Sequence, residues 1–522
     1  MKVNLQKPLA SGSTAELEID WSFPVPDDRQ NARGERELVS DGWLYEIAQW
    51  FPRLSVYDDV NGWQTDQFLN NGEFYLEFGN YDIEITVPRD HIVQATGVLQ
   101  NPEEVLTPTQ IERLSTAFTS DSPVYIIGPE EVSSPESRPR GDGPLTWRFR
   151  AANVRDVAWV SSRAYVWDAA GFRYSDDRDP VEAHSLYPRE GMPLWNNVST
   201  RAIIQTLETY GRMAFEYPYP KAVNVHGSVP GMEYPMLAFC GARPQSNGSY
   251  SYALEGALVS VTIHEVGHNW FPMIVGSDER KWAWMDEGLN SFLQYYAEQD
   301  WRTGHRGGRG PAHDIVRYMR DPDQVPIMIH SDLIHKDFGD NSYSKPAAGL
   351  AMLRERVLSP AAFDEAFREY AQKWAFKHPQ PADFFRSIEE SAGEDLAWFW
   401  RGWFYTTHFN DQAVSSVTTQ PAEELVGDSE RGEHYYRVTV NNEGGLVMPI
   451  HIDVFFTDGT KELFKLPVDV WRDNEREFTK GFFTDRTVSR VVIDPDESFA
   501  DVNRENNTWE LPALREGEQT GG

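Results

Sequence analysis

Cysteine is nearly absent. The 522 residues hold one, Cys240, so no disulfide forms within the chain and thiol content says nothing of redox compartment. No apolar run approaches the roughly 20 residues that a membrane-spanning helix needs. The opening stretch, Met1 to Gly12, lacks the apolar core and cleavage site of a signal peptide. Positive charge is scarce: 48 Lys and Arg stand against 81 Asp and Glu, a net formal charge of −33. Such a surface repels polyphosphate, so nucleic acid is not an expected partner. It suits cationic or amine-bearing ligands, although a generally solvated acidic surface is the plainer account of it. No internal repeat is present. The chain is expected to be soluble, with cytoplasmic and periplasmic or secreted settings both open and the oligomeric state unread.

What the sequence does contain is organised around Val261 to Phe292. Inside lies H-E-x-x-H, as His264, Glu265 and His268, and Glu287 follows after a gap of eighteen residues. Histidines four apart stack on one face of an α-helix, so both imidazoles can reach one ion. Leu254 to His268 has the spacing of that helix. Two imidazoles under-ligate zinc, and a catalytic site wants a third protein ligand and one open position. Glu287, in a second helical pattern, is the natural third ligand. Glu265 sits about a hundred degrees round the helix from His264, near the metal without ligating it, and is free to act as base on metal-bound water. By accident, H-E-x-x-H occurs in roughly a few per cent of chains this rich in histidine, and the fixed glutamate lowers that about tenfold.

The length suggests about three domains. Up to Asp168 the pattern reads as β, with alternation over Ala15 to Phe23, Phe74 to Phe78 and Tyr81 to Val87, and a short helix from Thr107 to Thr119. From Ala169 to His408 it turns helical, with a helix over Trp195 to Tyr210 and others after Ala347. A glycine- and arginine-rich stretch, Thr303 to Pro311, reads as a solvated connection. After His408, short alternating strands such as Tyr435 to Val440 and Ile450 to Phe456, with turns such as Asp458-Gly459, suggest a sandwich. The expected fold is therefore a multidomain α+β chain. It has an N-terminal β domain (1–168), a mainly α domain (169–408), a C-terminal β-sandwich (409–510) and a disordered tail (511–522).

His264-Glu265-x-x-His268, Asn269-Trp270-Phe271 and Trp284-Met285-Asp286-Glu287-Gly288 together resemble the aminopeptidase N family of zinc metallopeptidases, the gluzincins. The thermolysin group shares the helix but has one more residue in the gap. Gly231-Met232-Glu233-Tyr234 is similar to the family's G-x-M-E-N exopeptidase motif, and Tyr343-Ser344-Lys345 to its Y-E-K-G. The resemblance implies a thermolysin-like middle domain, one zinc ion on His264, His268 and Glu287, and Glu265 as base. It further implies that Glu233, with Gly231 and Met232, binds the free amino group of a peptide, and that Tyr343 steadies the tetrahedral intermediate. The departures are Pro230 at the motif's Gly, Tyr234 at its Asn, Pro272-Met273 after the aromatic pair, and Pro346 after the lysine. They touch side-chain preference more than the metal chemistry. The family's opening strands are missing ahead of Met1, so the chain is expected to be incomplete at that end.

The implied activity is zinc-dependent removal of amino-terminal residues from peptides. Two alternatives share the fold: a zinc endopeptidase and an epoxide hydrolase. One of another class is a binding protein with a vestigial peptidase fold, its 18 Trp lining a surface rather than filling cores.

Overall fold

The computed structural model describes residues 2–27, 33–120, 122–302, 307–426 and 432–512. Positions 303–306 of the expected connection and 513–522 of the expected tail lie outside the described residues.

The chain mixes helices with several sheets. In the first part, strands Glu35–Val39, Gly42–Ile47, Trp159–Ser162 and Ile92–Ala95 pair in that order. Gly79–Val87 pairs with Leu145–Val154, and its alternation is that of a half-buried strand: Ile83, Ile85 and Val87 are buried between exposed neighbours. The helix expected near residue 107 runs Pro108–Ala117, closed by a Thr107 and Gln110 capping box. Two expected strands are corrected. Ala15 to Phe23 makes no ladder and stays exposed, with Leu17 59% and Trp21 48% accessible. Alternation specifies a face, but a strand also needs a neighbour to pair with, and the described residues supply none. Phe74 to Phe78 makes a single bridge, Leu76 with Ser55.

The sheet that positions the site has six strands: β1 (Val124–Ile127), β2 (Val166–Phe172), β3 (Val181–Tyr187), β4 (Lys221–His226), β5 (Gly231–Tyr234) and β6 (Leu237–Cys240). Their order is β5-β6-β4-β3-β2-β1. β3, β4 and β6 run parallel, and the rest pair antiparallel. Strand β2 spans residues 168 and 169, so this sheet draws on both sides of that point. Parallel β3 and β4 need a crossover, which α1 (Leu194–Met213) supplies. β5 and β6 form a tight hairpin through Pro235 and Met236, and β5 is left as the sheet's edge.

Below the sheet lies α2 (Tyr252–Gly267). Ser251 caps it by accepting the Leu254 N–H at 3.1 Å, worth about 1 kcal/mol. From Leu258 to Gly267 nearly every residue is buried, so the helix is held by packing rather than by an amphipathic stripe. It is followed by α3 (Leu289–Trp301) and α4 (Lys345–Met352). One large apolar core runs through the sheets and helices as far as Trp403, Met448 and Val502.

Residues after 411 build two antiparallel sheets. One orders Gln412–Pro421, His434–Asn442 and Glu477–Thr484; the other Lys461–Leu466, Ile450–Phe456, Val488–Ile493 and Thr508–Glu510. Val438, Val440, Ile452, Val454, Val488 and Val491 bury a separate cluster between them. That is the aligned-sheet solution to alternating strands.

Candidate metal centre

Helix α2 ends at the site. His264 lies on its last turn, and His268 caps it. Glu287 does not lie on a regular α-helix. It belongs to a π-helical turn, Trp284–Gly288, that leads into α3. Tyr343 lies on a second one, Asp340–Ser344, that leads into α4. Such turns recur at functional sites because the extra residue re-aims a side chain.

The three expected ligands converge. His264 Nε2 and His268 Nε2 are 3.0 Å apart, and Glu287 Oε2 lies 3.1 Å from the first and 3.3 Å from the second. Donors that share a zinc ion at bonds of about 2.0–2.1 Å in a tetrahedron stand roughly 3.3–3.4 Å apart. The spacing therefore fits one small cation.

Neighbours fix which nitrogen faces that point. Gln294 Nε2 donates to Glu298 Oε1 at 2.8 Å, which turns Gln294 Oε1 to accept from His264 Nδ1 at 2.8 Å. His268 Nδ1 donates to the Phe271 carbonyl at 2.9 Å, with Asp286 Oδ1 at 3.1 Å. Each Nδ1 is thus a donor, which turns both Nε2 atoms toward each other and toward a carboxylate. Three such atoms this close call for positive charge among them, a bound cation or a proton on His268.

The field around the site wants positive charge. Burial holds His264 down to about 4 and also works against His268, but Glu233, Glu287 and Asp286 outweigh it there and raise His268. Glu287 is lowered: burial opposes ionisation, and His268 with the imidazole hydrogen bonds overcomes it.

Glu265 and Glu233 stand against His268. Burial, then the neighbouring Glu233 charge, lifts Glu265 well above the usual carboxylate range. Glu233 is 3% exposed, and burial raises it to about 7. It also meets Glu73 and Glu279. Those two have cations of their own: Arg33 grips Glu73 with two bonds of 2.6 Å, and Arg155 pairs with Glu279. Glu233 does not, and its Oε1 has no hydrogen-bond partner among the described residues. It is a buried carboxylate short of a cation.

The edge strand β5 carries this end. Gly231 and Glu233 share the face toward α2, and Met232 turns its sulfur to Arg33 on the other. Gly231 is held to glycine by a close approach: a Cβ there would lie 2.5 Å from Glu265 Oε1 and 3.1 Å from Val261 Cγ2. On the opposite flank, the Tyr343 phenol donates to Glu287 Oε1 at 2.5 Å, and its ring stacks on His264 with centroids 5.6 Å apart.

All eight expected site residues therefore lie at or beside one point, with the Met232 side chain alone facing away. Sequence reasoning missed Asp286, Asn290, Gln294, Glu73 and Arg309. Asn290 and Gln294 carried a signal, two amides four apart on an apolar helix. Glu73, from a stretch without regular structure, carried none. A cavity of about 420 Å³ reaches His264, Glu265 and Tyr343. The larger hollow, about 870 Å³ between Arg356, Trp398 and Trp471, is lined by none of these residues, and among the described residues it holds no metal-ligand set.

Residues 196–403 match the family model described as the peptidase family M1 domain. Glutamyl aminopeptidase of Sus scrofa is 26% identical over 211 residues, which cover 37% of this chain and 21% of that protein. Glutamyl aminopeptidase of Bos taurus is 30% identical over 146 residues, covering 26% and 15%. Aminopeptidase M1-A of Oryza sativa subsp. japonica is 23% identical over 232 residues, covering 42% and 26%. The matched part thus spans about a fifth of these relatives' length. Among solved structures, Legionella pneumophila aminopeptidase A in complex with aspartic acid superposes with a TM-score of 0.57 at 13% identity, over 90% of this chain and 48% of that one. That likeness is one of fold. None of the described helices is long and apolar enough to cross a membrane.

Proposed function

We propose that this chain, which carries a peptidase family M1 domain over residues 196–403, is a zinc-dependent aminopeptidase that hydrolyses the first peptide bond of peptides with a free amino end. The observation that carries the reading is the convergence of two imidazole nitrogens and a carboxylate within 3.0–3.3 Å of one another. His264, His268 and Glu287 would hold one zinc ion, which when bound lowers the pKa of water and polarises a carbonyl. Glu265 takes the proton of the attacking water and returns one to the leaving amine. Burial and the neighbouring Glu233 charge raise its carboxyl, the direction that a group both taking and returning a proton needs. Tyr343 donates its phenolic hydrogen to the oxygen on which charge develops.

Glu233 sets which bond is cut. An ammonium group supplies the cation that this buried carboxylate lacks. The working division into an N-terminal β unit to residue 168, a thermolysin-like unit to 408 and a β-sandwich to 510 belongs to the same reading.

The test is release of single amino acids from a panel of aminoacyl fluorophores, with and without chelator. Turnover lost to chelator and restored by zinc is the expected result. No turnover in the zinc-loaded protein would favour a binding role. Glu233→Ala is expected to raise KM for free-amine substrates about tenfold or more, since it removes a charge-assisted bond. Equal cleavage of acetylated and free peptides by the unsubstituted protein would point to an endopeptidase instead.

Gly231→Ala is expected to leave folding and zinc content nearly unchanged and to cut kcat about tenfold or more. The added Cβ meets the flexible end of Glu265, 2.5 Å away, which moves at little cost in stability. A base displaced by about 1 Å loses up to roughly a hundredfold in rate. Unaltered kcat would mean that Glu265 need not occupy the position seen here.

A further inference from the structure

Read from sequence alone, Thr303 to Pro311 is a solvated connection. Its described part does something else: it brings Arg309 into the 420 Å³ cavity at the metal centre. Arg309 Cζ lies 4.2 Å from the centroid of the Tyr343 ring. That ring stacks in turn on His264 at an interplanar angle of 19°. Arg309, Tyr343 and His264 are therefore layered on one flank of the ligand triangle, whereas Glu233 stands against His268.

The placement is built. Gly310 has φ +138°, and a Cβ there would lie 2.4 Å from the Tyr295 ring, so the loop can lie flat on α3 only with glycine at that position. Stacking on its face leaves a guanidinium's in-plane N–H donors free, and they match a carboxylate two bonds at a time. Arg309 forms no ion pair among the described residues, in a chain of net charge −33. Glu298, which also lines the cavity, has its Oε1 taken by Ser260 and by Gln294.

We propose that Arg309 recognises a carboxylate carried by the residue just beyond the bond being cut. That group is the terminal carboxylate of a dipeptide or the side chain of an acidic residue. The inference rests on the aminopeptidase reading. With the substrate's ammonium at Glu233 and its carbonyl at the ligand triangle, the next residue, one Cα step of about 3.8 Å further on, falls on the Tyr343 and Arg309 flank.

Two matched pairs of substrates test it. Leu-Gly is compared with its C-terminal amide, and Leu-Glu-amide with Leu-Gln-amide. The protein is expected to favour the anionic member of one pair by about tenfold or more in kcat/KM, the scale of a charge-assisted bond. Preference within the first pair identifies the terminal carboxylate, and within the second the acidic side chain. Arg309→Met should abolish the preference and Arg309→Lys should retain part of it. Arg302→Met, which removes a nearby cation paired with Glu255 at 3.2 Å, should keep it.

No preference in either pair overturns the proposal without need of a variant. So does an Arg309→Met protein that slows anionic and neutral members equally, which would make Arg309 only a support for Tyr343. Failure to cleave any member of the aminoacyl fluorophore panel would instead remove the aminopeptidase reading, and this one with it; where the panel favours another first residue, that residue replaces leucine in both pairs.

Discussion

Glu265→Gln is expected to keep one zinc ion per chain and to lower kcat by roughly a hundredfold to ten-thousandfold, the range that a positioned general base contributes. The proposed ligand atoms are the two Nε2 and Glu287 Oε2, which converge without Glu265, so glutamine at 265 would remove no ligand. It also removes no buried charge on which folding depends. Burial lifts the Glu265 carboxyl well above its usual range, so its ionised form is disfavoured by the fold. The sign follows: a raised pKa costs stability as pH climbs above the unfolded-state value, and a neutral amide escapes that cost. The variant should therefore melt no lower than the parent at neutral pH. Metal analysis, thermal melting and kcat separate the outcomes. Residual turnover within tenfold of the parent removes Glu265 as the base, and lost zinc would reassign the effect to the metal.

The meeting of His264 and His268 was legible because helix periodicity is rigid. Four residues make one turn, and His264 and His268 had to share a face whatever surrounded them. Glu287 was legible as their neighbour by its distance along the chain but not by its conformation. Glu287 and Tyr343 both lie on π-helical turns, and a count of 3.6 residues per turn cannot announce a wider one. The late strands followed from alternation, since Ile450 to Phe456 presents one buried face. The same rule failed at Ala15 to Phe23, where pairing depends on a partner strand and not on the segment itself. Glu73 and Arg309 were out of reach for another reason. Each arrives at the site on a stretch without periodicity, steered by one tertiary contact: the Arg33 fork for Glu73, the Tyr295 ring beneath Gly310 for Arg309.

Tyr343→Phe is expected to lower kcat by about a hundredfold or more with KM little changed, the cost of deleting one oxyanion donor. The structure makes this variant informative because the phenol already has a partner. Its hydrogen goes to Glu287 Oε1 at 2.5 Å, while Oε2 faces the imidazoles. Tyr343 therefore has two possible jobs, steadying the third ligand or donating to the reacting oxygen, and they predict different things. A ligand-steadying hydroxyl would cost about 10- to 100-fold in zinc affinity, and excess zinc would restore the rate. An oxyanion donor acts only when charge develops, so its loss persists at saturating zinc and appears in kcat rather than KM. The two are compatible in sequence: when substrate arrives, the phenol would exchange a carboxylate acceptor for the oxyanion. Burial and the Glu287 charge raise the phenol well above its usual range, so it keeps its proton across any working pH and stays a donor throughout. Full recovery of kcat on zinc titration would confine Tyr343 to the metal, and a loss that zinc cannot restore assigns it to the chemistry.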